Sequence, residues 1–188
     1  LIQSANFIAC HKFDQINKIE ILENAAQDAV FLLDSPYAAD AVWDQLPQPV
    51  QQIIIDRNIS FYVINATEVA RAAGMGKRIN TIMQVCFFAL SGVLPRDEAI
   101  LQIHKAIEKS YRSKGQEVID KNFAAVDAAL DHLHEVKIPS RVSSDRLLDS
   151  VVPDNAPRFV REVTAQMMRG HGDDLPVSKM PIDGTYPS

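Results

Sequence analysis

Apolar residues fall in short blocks along the first third of the chain and in three- and four-residue steps along the middle. That change of period sets the expected architecture. Ala5-Asn6-Phe7-Ile8-Ala9-Cys10 is apolar and β-leaning, breaks at His11-Lys12, and predicts a buried strand. Ile16, Ile19, Leu22 and Ala26 then recur at helical steps, which predicts an amphipathic helix over about 14–27. Ala29-Val30-Phe31-Leu32-Leu33 is a continuous apolar run of the kind found in a strand covered on both faces. Asp34-Ser35-Pro36 turns the chain into a short helix through Val42-Trp43, which Pro47 and Pro49 are expected to stop. Ile53-Ile54-Ile55 reads as a short strand. Ile59-Ser60-Phe61-Tyr62-Val63-Ile64 is the clearest strand, β-branched and aromatic throughout.

From Asn65 the pattern is helical. Asn65-Ala66-Thr67-Glu68 opens one helix and Gly74 ends it. Further helices are predicted over about 81–90, 96–112 and 116–136. The second carries Ala99, Ile100, Ile103, Ile107 and Tyr111 on one stripe; the third turns Val118, Ile119, Phe123, Val126, Leu130 and Leu133 inward. Short helices are expected over 146–151 and 159–168 of a mostly extended tail. The tail's last stretch, from Leu175, holds three prolines and a glycine and reads as a linker. Strands alternating with helices predict an α/β fold, Rossmann-like, with a mostly parallel sheet and flanking helices. The expected division is an α/β domain over 1–139 and an extended linker over 140–188. Both ends carry the expectation that these residues are a piece of a longer protein.

Composition narrows the partners. Of the 188 residues 47% are hydrophobic and 23% charged, which is globular rather than disordered. Nineteen Lys and Arg against 24 Asp and Glu leave a net charge of -5, which argues against a nucleic-acid partner. No apolar run is long enough to cross a bilayer, so no membrane partner is expected. Two cysteines, Cys10 and Cys86, exclude a disulfide scaffold and an all-cysteine metal site within the chain. Both sit in apolar runs and read as buried free thiols of a cytoplasmic protein.

The stretch richest in candidate chemistry is Gly74-Met75-Gly76-Lys77-Arg78-Ile79-Asn80-Thr81. Two glycines permit close backbone approach, two cations follow, and Asn80 or Thr81 is placed to cap a helix whose free N–H groups point the same way. Those are the ingredients of an anion or phosphate site, with Gln84 one turn further on the same face. The sequence also leaves Gly74 a purely structural job as a helix end. His11 follows the first strand, where α/β proteins often place ligands. His132 and His134, two apart on a predicted helix, point in different directions and cannot chelate together. Lys105, Lys109, Arg112 and Lys114, balanced by Glu98 and Glu108, read as a solvated face. No motif for a catalytic nucleophile, paired carboxylates or a Cys/His cluster appears.

Several stretches together resemble the thiamine-dependent pyruvate:ferredoxin/flavodoxin oxidoreductases. They are Ala5 to His11, Phe31 to Tyr37, Phe61 to Ala66, the long block from Gly74 through Arg78 and Gln84 to Pro95, Ala125 to Leu130, Leu175 to Ser178 and Asp183-Gly184-Thr185. The resemblance runs in order over nearly the whole chain. It implies the central, gamma-subunit-like domain of such an enzyme, a Rossmann-like unit linked to coenzyme A binding, whose Gly-rich first turn would lie upstream of Leu1. The family converts pyruvate and coenzyme A to acetyl-CoA and carbon dioxide and passes electrons through 4Fe-4S clusters to ferredoxin or flavodoxin. Its cofactors are thiamine diphosphate with magnesium and those clusters; none is expected in this piece, and coenzyme A is a substrate. Gly172-Asp173-Asp174 departs from the family's Gly-Asp-Gly thiamine motif, so no catalytic residue is carried over. Partners implied are the other domains of the parent chain, ferredoxin or flavodoxin through the parent, and a second copy in a homodimer. The reading that follows is a fragment with no turnover alone, supplying scaffold and part of a coenzyme A or domain-docking surface at Gly74, Gly76, Lys77, Arg78, Asn80, Thr81 and Gln84. The alternative is a purely structural interdomain or dimerisation module.

Overall fold

A computed structural model describes residues 2–76 and 78–186. Its centre is one four-stranded sheet of β1 (Ala5–Cys10), β2 (Ala25–Asp34), β3 (Ser60–Ile64) and β4 (His134–Glu135), side by side in chain order. β1 pairs parallel with β2 and β2 with β3, while β4 runs antiparallel along the far edge of β3. The helices are α1 (Gln48–Asp56), α2 (Ala66–Ala72), α3 (Asn80–Ser91), α4 (Arg96–Tyr111), α5 (Gln116–Asp131) and α6 (Ala165–Arg169). The fold is therefore α/β, with a mostly parallel sheet and helices flanking it.

The continuous apolar run of β2 has a direct cause. Side chains alternate across a strand, so a run without polar interruption is stable only where both faces are dry. Phe31 and Leu33, with Phe61 and Val63 of β3, enter one core together with Ile16, Leu22, Trp43, Leu46, Val50 and Ile54. Leu32 and Ile64 enter the other, with Val69, Ile82, Met83, Cys86, Ile103, Ile119 and Val126. One face is thus covered by the two strand-to-strand connections and the opposite face by α2 to α5. Phe31 and Phe61, side by side in register, stack at 5.1 Å on the first face.

Four local expectations are corrected. Over 14–27 there is no continuous helix: a single 3-10 turn, Phe13–Asn17, is followed by turns, and β2 starts at Ala25. Ile16 and Leu22 are buried as the helical steps required, but the connection ends as strand because β2 extends to ten residues to meet β1. Its irregular start holds Asp28 at φ 57, steadied by Asn58 Nδ2 donating to the Asp28 carboxylate at 2.7 Å.

Ile53-Ile54-Ile55 is not a strand but the end of α1; the short helix expected through Val42-Trp43 is a 3-10 turn, Trp43–Gln45, that ends at Leu46 before Pro47, and the two prolines also open α1. Pro47 sits extended at its N-cap and Pro49 falls within the first two helical positions, where a missing N–H costs nothing. Val50 and Ile54, four apart, then face the core, and tertiary packing overrides the β-branched preference.

The helix expected over 116–136 ends at Asp131, and the chain reverses so that His134 and Glu135 close the open edge of β3; Val136 donates to Phe61 O at 2.8 Å and is buried. Residues 146–151 are not helical. They run extended against the body, where Gln48 N donates to Arg146 O at 2.7 Å and Asp149 N to Asn17 O at 2.6 Å. The helical stretch near 159–168 is present, as a wide turn over Val160–Thr164 continuing into α6.

Truncating Phe31 to alanine removes a fully buried ring from the double-sided centre of the sheet. Urea unfolding of the Phe31→Ala variant is expected to show a loss of about 3–5 kcal/mol.

Candidate functional site

The three parallel strands end on one side of the molecule, and their successors meet there. His11 and Lys12 follow β1, Asp34 closes β2 and is followed by Ser35-Pro36, and Asn65 follows β3. A crevice of about 420 Å³ opens between them, lined by His11, Lys12, Asp34, Asn65, Arg71 and Ile79 among others. This is where open parallel sheets bind ligands, because the connections diverge beyond the strand ends.

Each wall is fixed locally. Asn65 caps α2 by accepting from Glu68 N at 3.0 Å, and the Asp34 carboxylate accepts Ala66 N at 2.9 Å, so the start of α2 is tied to the end of β2. Burial pushes the Asp34 carboxyl above its usual range, against the Ala66 N–H and the nearby His11, which favour the charged form. Ser35 is buried and its hydroxyl exchanges hydrogen bonds with the backbone of Tyr37, fixing the turn.

The Gly74–Gln84 run lies beside the crevice, and the structure divides its members. Gly74 and Gly76 both take positive φ, at 71° and 66°, which lets the chain leave α2 and double back. Met75 between them is buried in the helical core and anchors the loop. Arg78 is exposed and folds over this loop, its Nε donating to Met75 O at 3.3 Å. Lys77 lies outside the described residues. The capping expectation is corrected: the N-cap of α3 is Ile79, Asn80 is the first helical residue, and no side chain caps the end. The first N–H groups of a twelve-residue helix thus lack a side-chain acceptor, and their positive end sits next to Ile79, on the crevice wall. Thr81 and Gln84 face the other way. They line a groove of about 360 Å³ between α3 and α4, floored by Phe88, Ile103 and Ile107. Asn80 is exposed between the two cavities.

Other candidates separate similarly. His132 is exposed with Nδ1 against Ala128 O at 2.8 Å, and His134 lies in β4, so the two form no site. Lys105, Lys109 and Arg112 rim an open cleft of about 610 Å³ near Glu108, and all four are solvated. Both thiols are buried; burial pushes Cys86 up to about 12 and raises Cys10, which favours the protonated thiol at neutral pH. Gly172–Asp174 forms a 3-10 turn whose Asp174 faces His171, a contact unlike a diphosphate-bound metal site. With two cysteines in the sequence, these residues do not supply the four thiolates of a 4Fe-4S cluster.

A family model described as pyruvate ferredoxin/flavodoxin oxidoreductase matches residues 1–132. The chain belongs to this family. A second model, described as a domain of unknown function, matches 146–188. The pyruvate-flavodoxin oxidoreductase of Rhodospirillum rubrum is 58% identical over 188 residues, and that of Nostoc sp. 52% identical over 195. The pyruvate:ferredoxin oxidoreductase of Moorella thermoacetica is 36% identical over 187. In each case all of this chain is covered but only 16% of the relative, so the chain spans about a sixth of the length of these proteins. Among solved structures, pyruvate oxidoreductase subunit PORC of Thermotoga maritima superposes with a TM-score of 0.55 at 19% identity, over 72% of this chain and 67% of that one. That likeness establishes the shared fold. The family segment ends at the close of α5, so the sheet, the crevice and the Gly74–Gln84 run all fall within it.

Two outcomes follow from this geometry. With a thiol-specific reagent at neutral pH, the native oxidoreductase segment is expected to leave Cys10 and Cys86 unlabelled, and denaturation is expected to expose both. Gly74→Ala forces a side chain into a left-handed position 3.4 Å from the Lys121 stem, and thermal unfolding is expected to show a loss of about 1–2 kcal/mol.

Proposed function

We propose that this chain is an interior module of a pyruvate:ferredoxin/flavodoxin oxidoreductase, an enzyme that converts pyruvate and coenzyme A to acetyl-CoA and carbon dioxide with electrons passed to flavodoxin or ferredoxin. In this reading residues 1–139 form a scaffold domain and 140–188 lead towards a ferredoxin-like cluster domain. The thiamine diphosphate, magnesium and 4Fe-4S clusters belong to other parts of a cytoplasmic, homodimeric parent. The module contributes no catalytic group. It contributes a surface that receives coenzyme A or a neighbouring domain, made from Gly74, Gly76, Lys77, Arg78, Asn80, Thr81 and Gln84.

The observation that supports this surface is the uncapped amino terminus of α3 at the rim of the strand-end crevice, with Arg78 exposed beside it. A phosphate oxygen placed there accepts backbone N–H bonds along the helix axis and a charge-assisted bond from guanidinium. Lys12 and Arg71 line the same crevice and add positive charge without occupying that end of the helix. Apolar floor and polar rim in the adjoining α3–α4 groove suit the uncharged portion of an extended ligand, with Thr81 and Gln84 as hydrogen-bonding groups.

The test is Arg78→Ala in the intact enzyme. Loss of one charge-assisted phosphate contact is expected to raise the KM for coenzyme A about tenfold or more, with little change in the KM for pyruvate. An unchanged KM for coenzyme A removes Arg78 from the ligand surface and leaves the interdomain reading, in which the same variant weakens association of the parent's domains or subunits instead.

A further inference from the structure

The domain-of-unknown-function segment is joined to the α/β body in two different ways. Its first residues are stitched down by hydrogen bonds whose groups do not titrate near neutrality: Arg146 and Asp149 pair with the backbone as described above, and Arg146 Nη2 also reaches Asn17 Oδ1 at 3.2 Å. Beyond Asp149, among the described residues, the hydrogen-bonded link back to the body is made by His171. Its Nε2 lies 2.7 Å from the Glu20 carboxylate, in the connection between β1 and β2. Its Nδ1 lies 3.3 Å from Asp174 and 3.8 Å from Glu23.

This knot has the donor types of a metal site, since Glu20, Glu23 and His171 converge within 4.8 Å. The hydrogen bonds already account for it. Both imidazole nitrogens face carboxylates, and a neutral ring has a single N–H, so only the imidazolium can donate to Glu20 and to Asp174 together. We propose that residues 150–186 form a strap clipped to the body by His171, and that the clip is closed when both ring nitrogens carry a proton and loosens when one is lost.

The charged groups around the ring are Glu20 and Glu23 from the body and Asp174 and Arg169 from the strap. Glu20 first, then Asp174, raises the His171 pKa above the ordinary 6.5. A raised folded-state value means the clip contributes fully below the ordinary imidazole pKa and is lost as pH rises through the raised one. The strap's own fold does not titrate in that window. Glu162 accepts from Arg158 at 2.7 Å and from Lys179 at 2.6 Å, which together hold its carboxyl down to about 2. Tyr186 adds a hydrogen bond to Thr164 and an edge-on contact with Phe159. Val163 and Ala165 of the strap are buried. Raising the pH therefore frees an intact strap rather than melting it.

Hydrogen–deuterium exchange with mass spectrometry on the intact protein, corrected for intrinsic exchange and run with and without chelator, reads the clip directly. Peptides covering 17–24 and 165–175 are expected to lose protection several-fold as pH rises from 6 to 9, while peptides covering 29–34 stay protected. In His171→Gln the step is expected to vanish, with weak protection at every pH. In Glu20→Gln, which removes one anion and keeps the imidazole, it is expected to move to lower pH. A step unchanged in His171→Gln, no step in the native protein, or protection at pH 6 that chelator abolishes would each overturn the proposal, the last by making the knot a metal site.

Discussion

Everything in this chain follows from the need to keep both faces of one short parallel sheet dry. β2 and β3 contribute large apolar side chains to both faces, so neither face can be left to water. One is covered by the two strand-to-strand connections, which carry short 3-10 turns and α1 and are held by Ile16, Leu22, Trp43 and Ile54; the other is covered by four helices. The asymmetry explains why so much of the chain lies between β3 and β4. The covering helices must be threaded between those two strands before the chain returns to close the sheet's edge.

The same constraint places the candidate site. With α2 tied to Asp34 at its start and buried against the sheet, the turn after it must reverse sharply to begin α3. Left-handed glycines on either side of buried Met75 accomplish the reversal, and the reversal is what aims the free end of α3 back towards the strand ends. The structural job of Gly74 and its place in the proposed ligand surface are thus not rivals. A loop that must turn here for packing reasons also leaves the first N–H groups of α3 beside Ile79 on the crevice wall.

The sequence was most readable where one physical rule acted alone. The apolar β2 run, the β-branched β3 and the Asn65 cap each had a single sufficient cause, and the parallel arrangement followed from their alternation with helices. It was least readable where local preference met a competing rule. Three isoleucines favour strand, yet Pro47 and Pro49 preset a helix and the Val50–Ile54 pair buries it. Helical spacing over Ile16 to Ala26 was real as burial but not as helix, because β2 claimed its end. Among the crevice residues, His11 was visible from its place after a strand. Asp34 and Arg71 were not singled out, although strand-end position alone would have marked Asp34. The His171 knot had no local signal at all, since Glu20 and His171 are 151 residues apart and meet only through the tertiary fold.

The two ion clusters of the C-terminal segment show how one kind of interaction serves two purposes. In both, a central group is gripped by two partners of opposite charge. Around Glu162 the centre is a carboxylate whose partners, Arg158 and Lys179, stay charged throughout the physiological range, so the contact is a fixed brace. Around His171 the centre is itself the group that changes charge near neutrality, and its carboxylate partners only move where that change falls. Exposed ion pairs of either kind add little to stability. What distinguishes them is the pH at which each lets go. A segment braced internally by the first and fastened externally by the second would keep its own ion pairs at a pH where the proposed clip to the body loosens.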